Sequence, residues 1–161
     1  MKIREMLFAA LAASLFVCSA FGQEVKKEEP KPRPGYDAEL AKKVGADQYG
    51  MRTYVLVLLK TGPTKPADKA ESDKIFAGHF ANMKRLVAEG KLALAGPFSK
   101  DPDFRGLFIL AVPTIEEAKQ LTGTDPAVKS GVLAAEYHVW WGSAGLMEVN
   151  GIHDKVQKVD M

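Results

Sequence analysis

The three histidines are the side chains of this sequence best suited to acid–base chemistry, because an imidazole takes or gives a proton near neutral pH. His79 falls in "ESDKIFAGHFANMKRLVAEG", three residues after Phe76 and four before Met83, so on a helix it lies along the edge of the apolar stripe. Such a residue is either a working acid or base, or a packed polar side chain with one nitrogen bonded to backbone. Glu136 and His138 alternate with Tyr137 and Val139 in "LAAEYHVWWG". On a strand they share a face with Trp140, and that face either lines a pocket or forms the polar side of an edge strand. His153 lies in the polar "NGIHDKVQKVDM" and is expected at the surface. Asp125 stands directly before Pro126, the N-cap and first-turn pairing that starts a helix. The histidines lack the His-x-x-x-His spacing of zinc sites, and Cys18 is the single cysteine, so no metal is expected.

The elements that must position these side chains follow from apolar period and turn residues. "MRTYVLVLLK", from Met51, is too continuous to alternate and ends at Thr61-Gly62-Pro63, which predicts a strand covered on both faces. "DKAESDKIFAGHFANMKRLVAEGK" carries Asp68 and Glu71 as a capping pair, Phe76, Phe80, Met83 and Val87 at helical spacing, and Gly90 as its stop. It predicts the main helix. "KLALAGPF" alternates Leu92 and Leu94 with Ala93 and Ala95, and "DFRGLFILAVP" is a second apolar strand beyond the turn at Asp101-Pro102. The two should pair as a hairpin. Gly96 and Pro97 read as a turn that could also bring backbone N–H groups to a pocket rim, although proline has none to offer. "TIEEAKQLTG" is a short helix capped by Thr114 and stopped by Gly123, "TDPAVKSGV" a further helical turn, and "LAAEYHVWWG" the last strand.

Strand, helix, strand, strand, helix, strand is a split βαβ order, the ferredoxin-like α+β arrangement with both helices on one face of an antiparallel sheet. Strands apolar on both sides need cover on the second face too, and a homodimer packed sheet to sheet is expected to supply it.

Around this domain the 161-residue chain has room only for ornaments. Lys2 and Arg4 precede an apolar run from Met6 to Val17 and an Ala20-x-Gly22 site, the pattern of a secretory signal peptide over residues 1–22, cleaved before Gln23. The run is short for a membrane span, and Val17 does not suit a lipoprotein reading of Cys18, so no membrane association is expected after cleavage. The product would be secreted or periplasmic, with stability resting on packing. Residues 23–50 form a Pro/Lys/Glu linker with a short helix from an Asp37 cap through Leu40 and Val44 to Gly45, and residues 147–161 a polar tail. A formal charge of only +2 argues against nucleic acid as a partner. There is no Gly-rich phosphate loop, nucleophile elbow or dinucleotide fingerprint, so no cofactor is expected.

Taken in order, His79 inside a helix, the "EGKLALAGP" after it, the "EEA" of the second helix, the "DPAVKSGV" beyond and the tryptophans of the last strand resemble the YCII-related domain family of the dimeric α/β-barrel superfamily. The resemblance covers residues 51–146. It implies a ferredoxin-like dimer with a small-molecule pocket between sheet and helix, and a histidine and aspartate acting as a pair, which match His79 and Asp125. Phe76 stands where many members carry an arginine. On this resemblance His79 becomes the acid or base and Asp125 its orienting partner, with one carboxylate oxygen free to cap the helix. Phe76, Met83, Gly96, Pro97, Glu136, His138 and Trp140 are the expected pocket lining. Two functions follow as expectations: a cofactor-free enzyme moving a proton on a small molecule, of isomerase or lyase type, or a non-catalytic dimeric module that binds a ligand or scaffolds a partner.

Overall fold

The computed structural model describes residues 31–101 and 103–159. The expected signal peptide and the first part of the expected linker lie outside the described residues. Tyr36–Met161 forms one compact unit. Its first element, α1 (Ala38–Val44), begins where Asp37 Oδ1 accepts the Leu40 N–H at 2.9 Å and ends at Gly45, whose φ of 68° is left-handed. Val44 is buried and its carbonyl accepts Arg52 Nη1, so this short helix belongs to the domain rather than to a tether.

Four strands follow: β1 (Met51–Thr61), β2 (Leu92–Pro97), β3 (Phe104–Leu110) and β4 (Leu133–Ser143). They form an antiparallel sheet in the order β2-β3-β1-β4. β1 and β2 therefore run the same way with β3 between them, and β3 and β4 the same way with β1 between them. Helices make those two crossings. The first is α2 (Lys69–Ala88); Asp68 accepts the Glu71 N–H, and the Glu71 carboxylate accepts the Ala67 N–H. The second crossing holds α3 (Ile115–Thr122), capped by Thr114, and the single turn α4 (Pro126–Lys129), capped by Asp125.

Alternation along the strands creates two apolar layers. Val55, Val57 and Leu59 of β1, Phe108 and Leu110 of β3 and Leu133 of β4 meet Leu86 of α2, Ala118 of α3 and Ala127 of α4. Each fully buried Leu or Phe there contributes about 1.5–3 kcal/mol of transfer free energy. Tyr54, Ala93 and Ile109 form the second layer, packed by Leu56, Leu94, Leu107, Leu146 and Met147.

The expected even alternation in β2 does not hold. A register shift between Leu92 and Leu94 sends Leu92 to the helix-covered layer, and both Ala93 and Leu94 to the other. Nor is the second face left wholly for a partner. The 147–161 region, expected only as a polar tail, begins in a 3-10 turn (Ala144–Glu148) and continues as α5 (Val149–Val156). Leu146 and Met147 reach the second layer, Asn150 Nδ2 donates to the Leu92 carbonyl at 2.8 Å, and Glu148 pairs with Lys43 of α1. Among the described residues no helix is long and apolar enough to cross a membrane.

Candidate active site

The two helical crossings meet where α2 passes α4, and a glycine sets how close they come. A Cβ on Gly78 would lie 2.8 Å from Pro126 Cγ, nearer than real Cβ contacts allow. With no side chain there, the proline seats against α2 and its neighbour Asp125 faces the next residue, His79. His79 Nδ1 and Asp125 Oδ2 are 2.7 Å apart, with the histidine 7% exposed and the aspartate fully buried. The other carboxylate oxygen, Oδ1, accepts the Ala127 N–H at 2.9 Å. Capping α4 and holding the imidazole are thus divided between the two oxygens of one side chain.

This bond assigns the tautomer. A carboxylate can only accept, so Nδ1 carries the hydrogen and Nε2 of the neutral ring presents its lone pair. Nε2 has no hydrogen-bond partner among the described residues, and it is not sealed from solvent. Aromatic rings fix the plane of the imidazole: Phe108 stacks on it at 5.8 Å, while Phe76 and Phe80 meet it edge-on at 5.9 and 5.5 Å. The arrangement is a proton acceptor held rigidly in an apolar cage, with a buried carboxylate behind it to balance the charge that protonation brings.

A second set of polar groups continues the line along α2. Asn82, three residues after His79 and 7% exposed, accepts at Oδ1 from Arg85 Nη2 at 2.8 Å and from Thr124 Oγ1 at 2.9 Å. Arg85 Nη2 also donates to Thr124 Oγ1 at 2.9 Å, and Arg85 Nη1 pairs with Glu89. Since Thr124 precedes Asp125, α2 grips this segment through two successive contacts. None of Asn82, Arg85 and Thr124 stood out in the sequence. The available signal was the helical spacing of Asn82 and Arg85 from His79, at one turn and nearly two.

Of the expected pocket lining, Phe76 touches the imidazole and Met83 packs in the same core layer. The others are placed elsewhere. Glu136, His138 and Trp140 do share a face, but it is the opposite one: their register partners are Leu58, Leu56 and Tyr54, whereas Tyr137 faces the helices and reaches Thr122 Oγ1 at 2.6 Å. Strand parity groups alternate residues without saying which group meets α2. Gly96 pairs with Leu107 on that opposite face, and Pro97 is exposed at the end of β2. On the far face Lys60, Glu136 and His138 form a chain of ionic contacts, with His138 Nε2 at 2.7 Å from Glu136 Oε1. The Lys60 ammonium first, and then His138, hold the Glu136 carboxyl below the usual carboxylate range. His153 lies exposed on α5. Among the described residues no group of three or more His, Cys, Asp or Glu side chains gathers as metal ligands would.

Over 81 residues the chain is 32% identical to the uncharacterized protein YjpA of Bacillus subtilis strain 168, a stretch covering 50% of this chain and 85% of that protein. Among solved structures, a 5-chloro-2-hydroxyhydroquinone dehydrochlorinase (TftG) from Burkholderia phenoliruptrix AC1100, in complex with 2,5-dihydroxybenzoquinone, aligns at 22% identity. That alignment spans 53% of this chain and 92% of the other, with a TM-score of 0.37. Residues 54–141 match the YCII-related domain, more than half of the sequence and every strand and helix that builds the His79 site, so the chain belongs to the YCII-related domain family.

Proposed function

We propose that this protein is a secreted, cofactor-free enzyme that moves a proton on a small organic molecule, with His79 as the base and acid and Asp125 as the residue that orients and balances it. One observation carries the reading: the imidazole gives its Nδ1 hydrogen to a fully buried carboxylate at 2.7 Å while Nε2 stays unpartnered and in contact with solvent. A packed structural histidine needs no buried carboxylate behind it, whereas a base does, to balance the imidazolium it becomes. With Nε2 as the base, a proton taken from a carbon or hydroxyl leaves an imidazolium paired to Asp125, and its return at another atom completes an isomerisation or, with departure of a leaving group, an elimination.

The rest of the proposal concerns assembly. The strand order and the split helical crossings support a ferredoxin-like fold. A second copy packed on the outer sheet face would cover Leu56, Leu58 and Leu107, which are only half-buried in the single chain, along with Trp140, which is 38% exposed. Secretion rests on the apolar and small-residue pattern of residues 1–22. A second reading, a non-catalytic ligand-binding or scaffolding module, is favoured by the enclosure of His79 among Phe76, Phe80 and Phe108.

The two are separated by proton exchange. The protein is incubated in deuterated buffer with small ring compounds bearing acidic C–H bonds and hydroxyl or halide substituents, and deuterium incorporation or release of the leaving group is followed by NMR. An enzyme accelerates exchange on at least one compound, and His79→Gln lowers that rate by about 100-fold or more. Equal rates for wild type and His79→Gln across the set would overturn the enzymatic reading in favour of the module.

A further inference from the structure

We infer that Asn82 is a ligand-binding residue of the His79 site, and that its side-chain N–H receives the oxygen of a carbonyl compound whose adjacent carbon gives up the proton. The inference rests on the reading of His79 as a base and adds to it a substrate class.

The observation is an orphaned donor. Asn82 is 7% exposed, and its Nδ2 is the buried side-chain atom left without a hydrogen-bond partner among the described residues. The assignment of oxygen and nitrogen is not arbitrary, because the guanidinium of Arg85 can only donate and the atom it meets must therefore be Oδ1. An asparagine kept only to bind Arg85 and Thr124 would need no NH2 group, and a buried N–H without a partner is a standing cost to the fold.

Helix geometry sets that donor one turn from the base. Helical side chains lean towards the N-terminus, so Asn82 covers the turn that carries His79, three residues earlier. Its oxygen edge is turned to Arg85, on the next turn in the C-terminal direction, and to Thr124. The opposite edge of the planar amide, bearing the two hydrogens, is left without a partner, and the inference assigns it to a ligand held at the His79 turn. Arg85 and Thr124 act as positioning residues that fix which edge faces the ligand. Phe80, edge-on to the imidazole and 43% exposed, is the caging ring nearest solvent, the side from which the inference brings a ligand oxygen in.

Together the groups suit one kind of chemistry. Nε2 of His79 takes the proton from the carbon beside a carbonyl, and the C–H electron pair becomes a C=C bond. The carbonyl π pair moves onto oxygen, and the enolate oxygen is held by the Asn82 N–H. Return of the proton from the imidazolium to a carbon of the enolate system restores the neutral ring and the carbonyl. A fixed donor shielded from water strengthens its hydrogen bond as negative charge develops on that oxygen.

Two probes test this: 4-nitrophenolate, an oxyanion of enolate character, and acetophenone, a neutral ketone. Each is titrated into the 15N-labelled protein while the Asn82 side-chain amide and the His79 ring nitrogens are observed. The comparison variant is Asn82→Asp, which keeps both accepting contacts with Arg85 and Thr124 and puts an acceptor oxygen where the donor stood. The expected result is a shift of one Asn82 N–H resonance together with His79, and acetophenone affinity weakened about tenfold or more in Asn82→Asp, since only a ketone oxygen seated at that edge would lose its donor there. If His79 responds while the Asn82 amide and the Asn82→Asp affinity do not, the inference is overturned and the reading of His79 as a base stands. Should neither probe disturb either residue, the carbonyl class is overturned, and the exchange comparison with His79→Gln judges the base by itself.

Discussion

Gly78→Ala is the sharpest probe of how the His79–Asp125 pair is built. In the middle of a helix the substitution should by itself stabilise, because alanine loses about 0.5–1 kcal/mol less than glycine on becoming helical. At this position the new methyl would stand 2.8 Å from Pro126 Cγ and 3.3 Å from Pro126 Cβ. These are atoms of a closed ring, not the far end of a flexible chain, so α4 must move away from α2 by several tenths of an ångström. Overpacking of this kind costs about 1–3 kcal/mol, which leaves a net loss of about 1 kcal/mol after the helical gain. The pair adjoins that contact in the sequence, His79 following Gly78 and Asp125 preceding Pro126, and its 2.7 Å bond has little room before it passes the length of a good hydrogen bond. Gly151→Ala is the control: it lies in α5 with no atom within 4 Å of the new methyl, and should gain the helical term alone. Urea unfolding of the two variants should therefore differ by about 2 kcal/mol in opposite directions from wild type. In the same samples, 15N spectra should show His79 losing its fixed Nδ1–H tautomer only in Gly78→Ala. A Gly78→Ala protein as stabilised as Gly151→Ala, with its tautomer intact, would refute the claim that this glycine sets the approach.

Asp125→Asn and Asp125→Ala should both release the His79 tautomer, read by 15N shifts, but only the alanine also removes the cap of α4. The alanine variant should accordingly be less stable in urea than the asparagine one by about 1 kcal/mol. For Glu136 the sign follows from its depressed titration: with the folded value below the unfolded one, its contacts with Lys60 and His138 stabilise the protein above the ordinary carboxylate range and cease to do so as pH falls through the folded value. Glu136→Gln should flatten that acid limb in unfolding measured across pH, and because the side chains are well exposed, high salt should flatten it as well. Leu58→Glu places a charge on the outer sheet face, and sedimentation equilibrium should show it converting a dimer to a monomer without loss of helical content; a wild type already monomeric would sink the sheet-to-sheet assembly.

How much of this was legible beforehand differs by residue. The bounds of α2 were, because Asp68, Glu71 and Gly90 act on their own backbone neighbourhood and do so in any context. The hairpin partners were legible too, but not the shift between Leu92 and Leu94, since an extra residue in one strand is decided by the strand beside it. α5 escaped notice because Ile152 and Val156 stay exposed, so their spacing carried little burial signal in a polar stretch. Parity grouped Glu136, His138 and Trp140 correctly but left open whether their face lined a pocket or was the polar side of an edge strand; they lie on edge strand β4, on the face away from α2. Asn82 was invisible for a different reason, as an asparagine gives no sign of burial until Arg85 and Thr124 close around its oxygen.

The double use of Asp125 bears on how relatives of this chain should be sorted. One oxygen starts a helix while the other meets the imidazole, so a relative without the histidine would still gain about 1 kcal/mol from an aspartate, asparagine or serine there. Stability alone would favour keeping the residue, whatever the imidazole does. His79 caps no helix, so on the proposal that it is the base, the histidine and not the aspartate is the position that would tell acid–base members of the family from others.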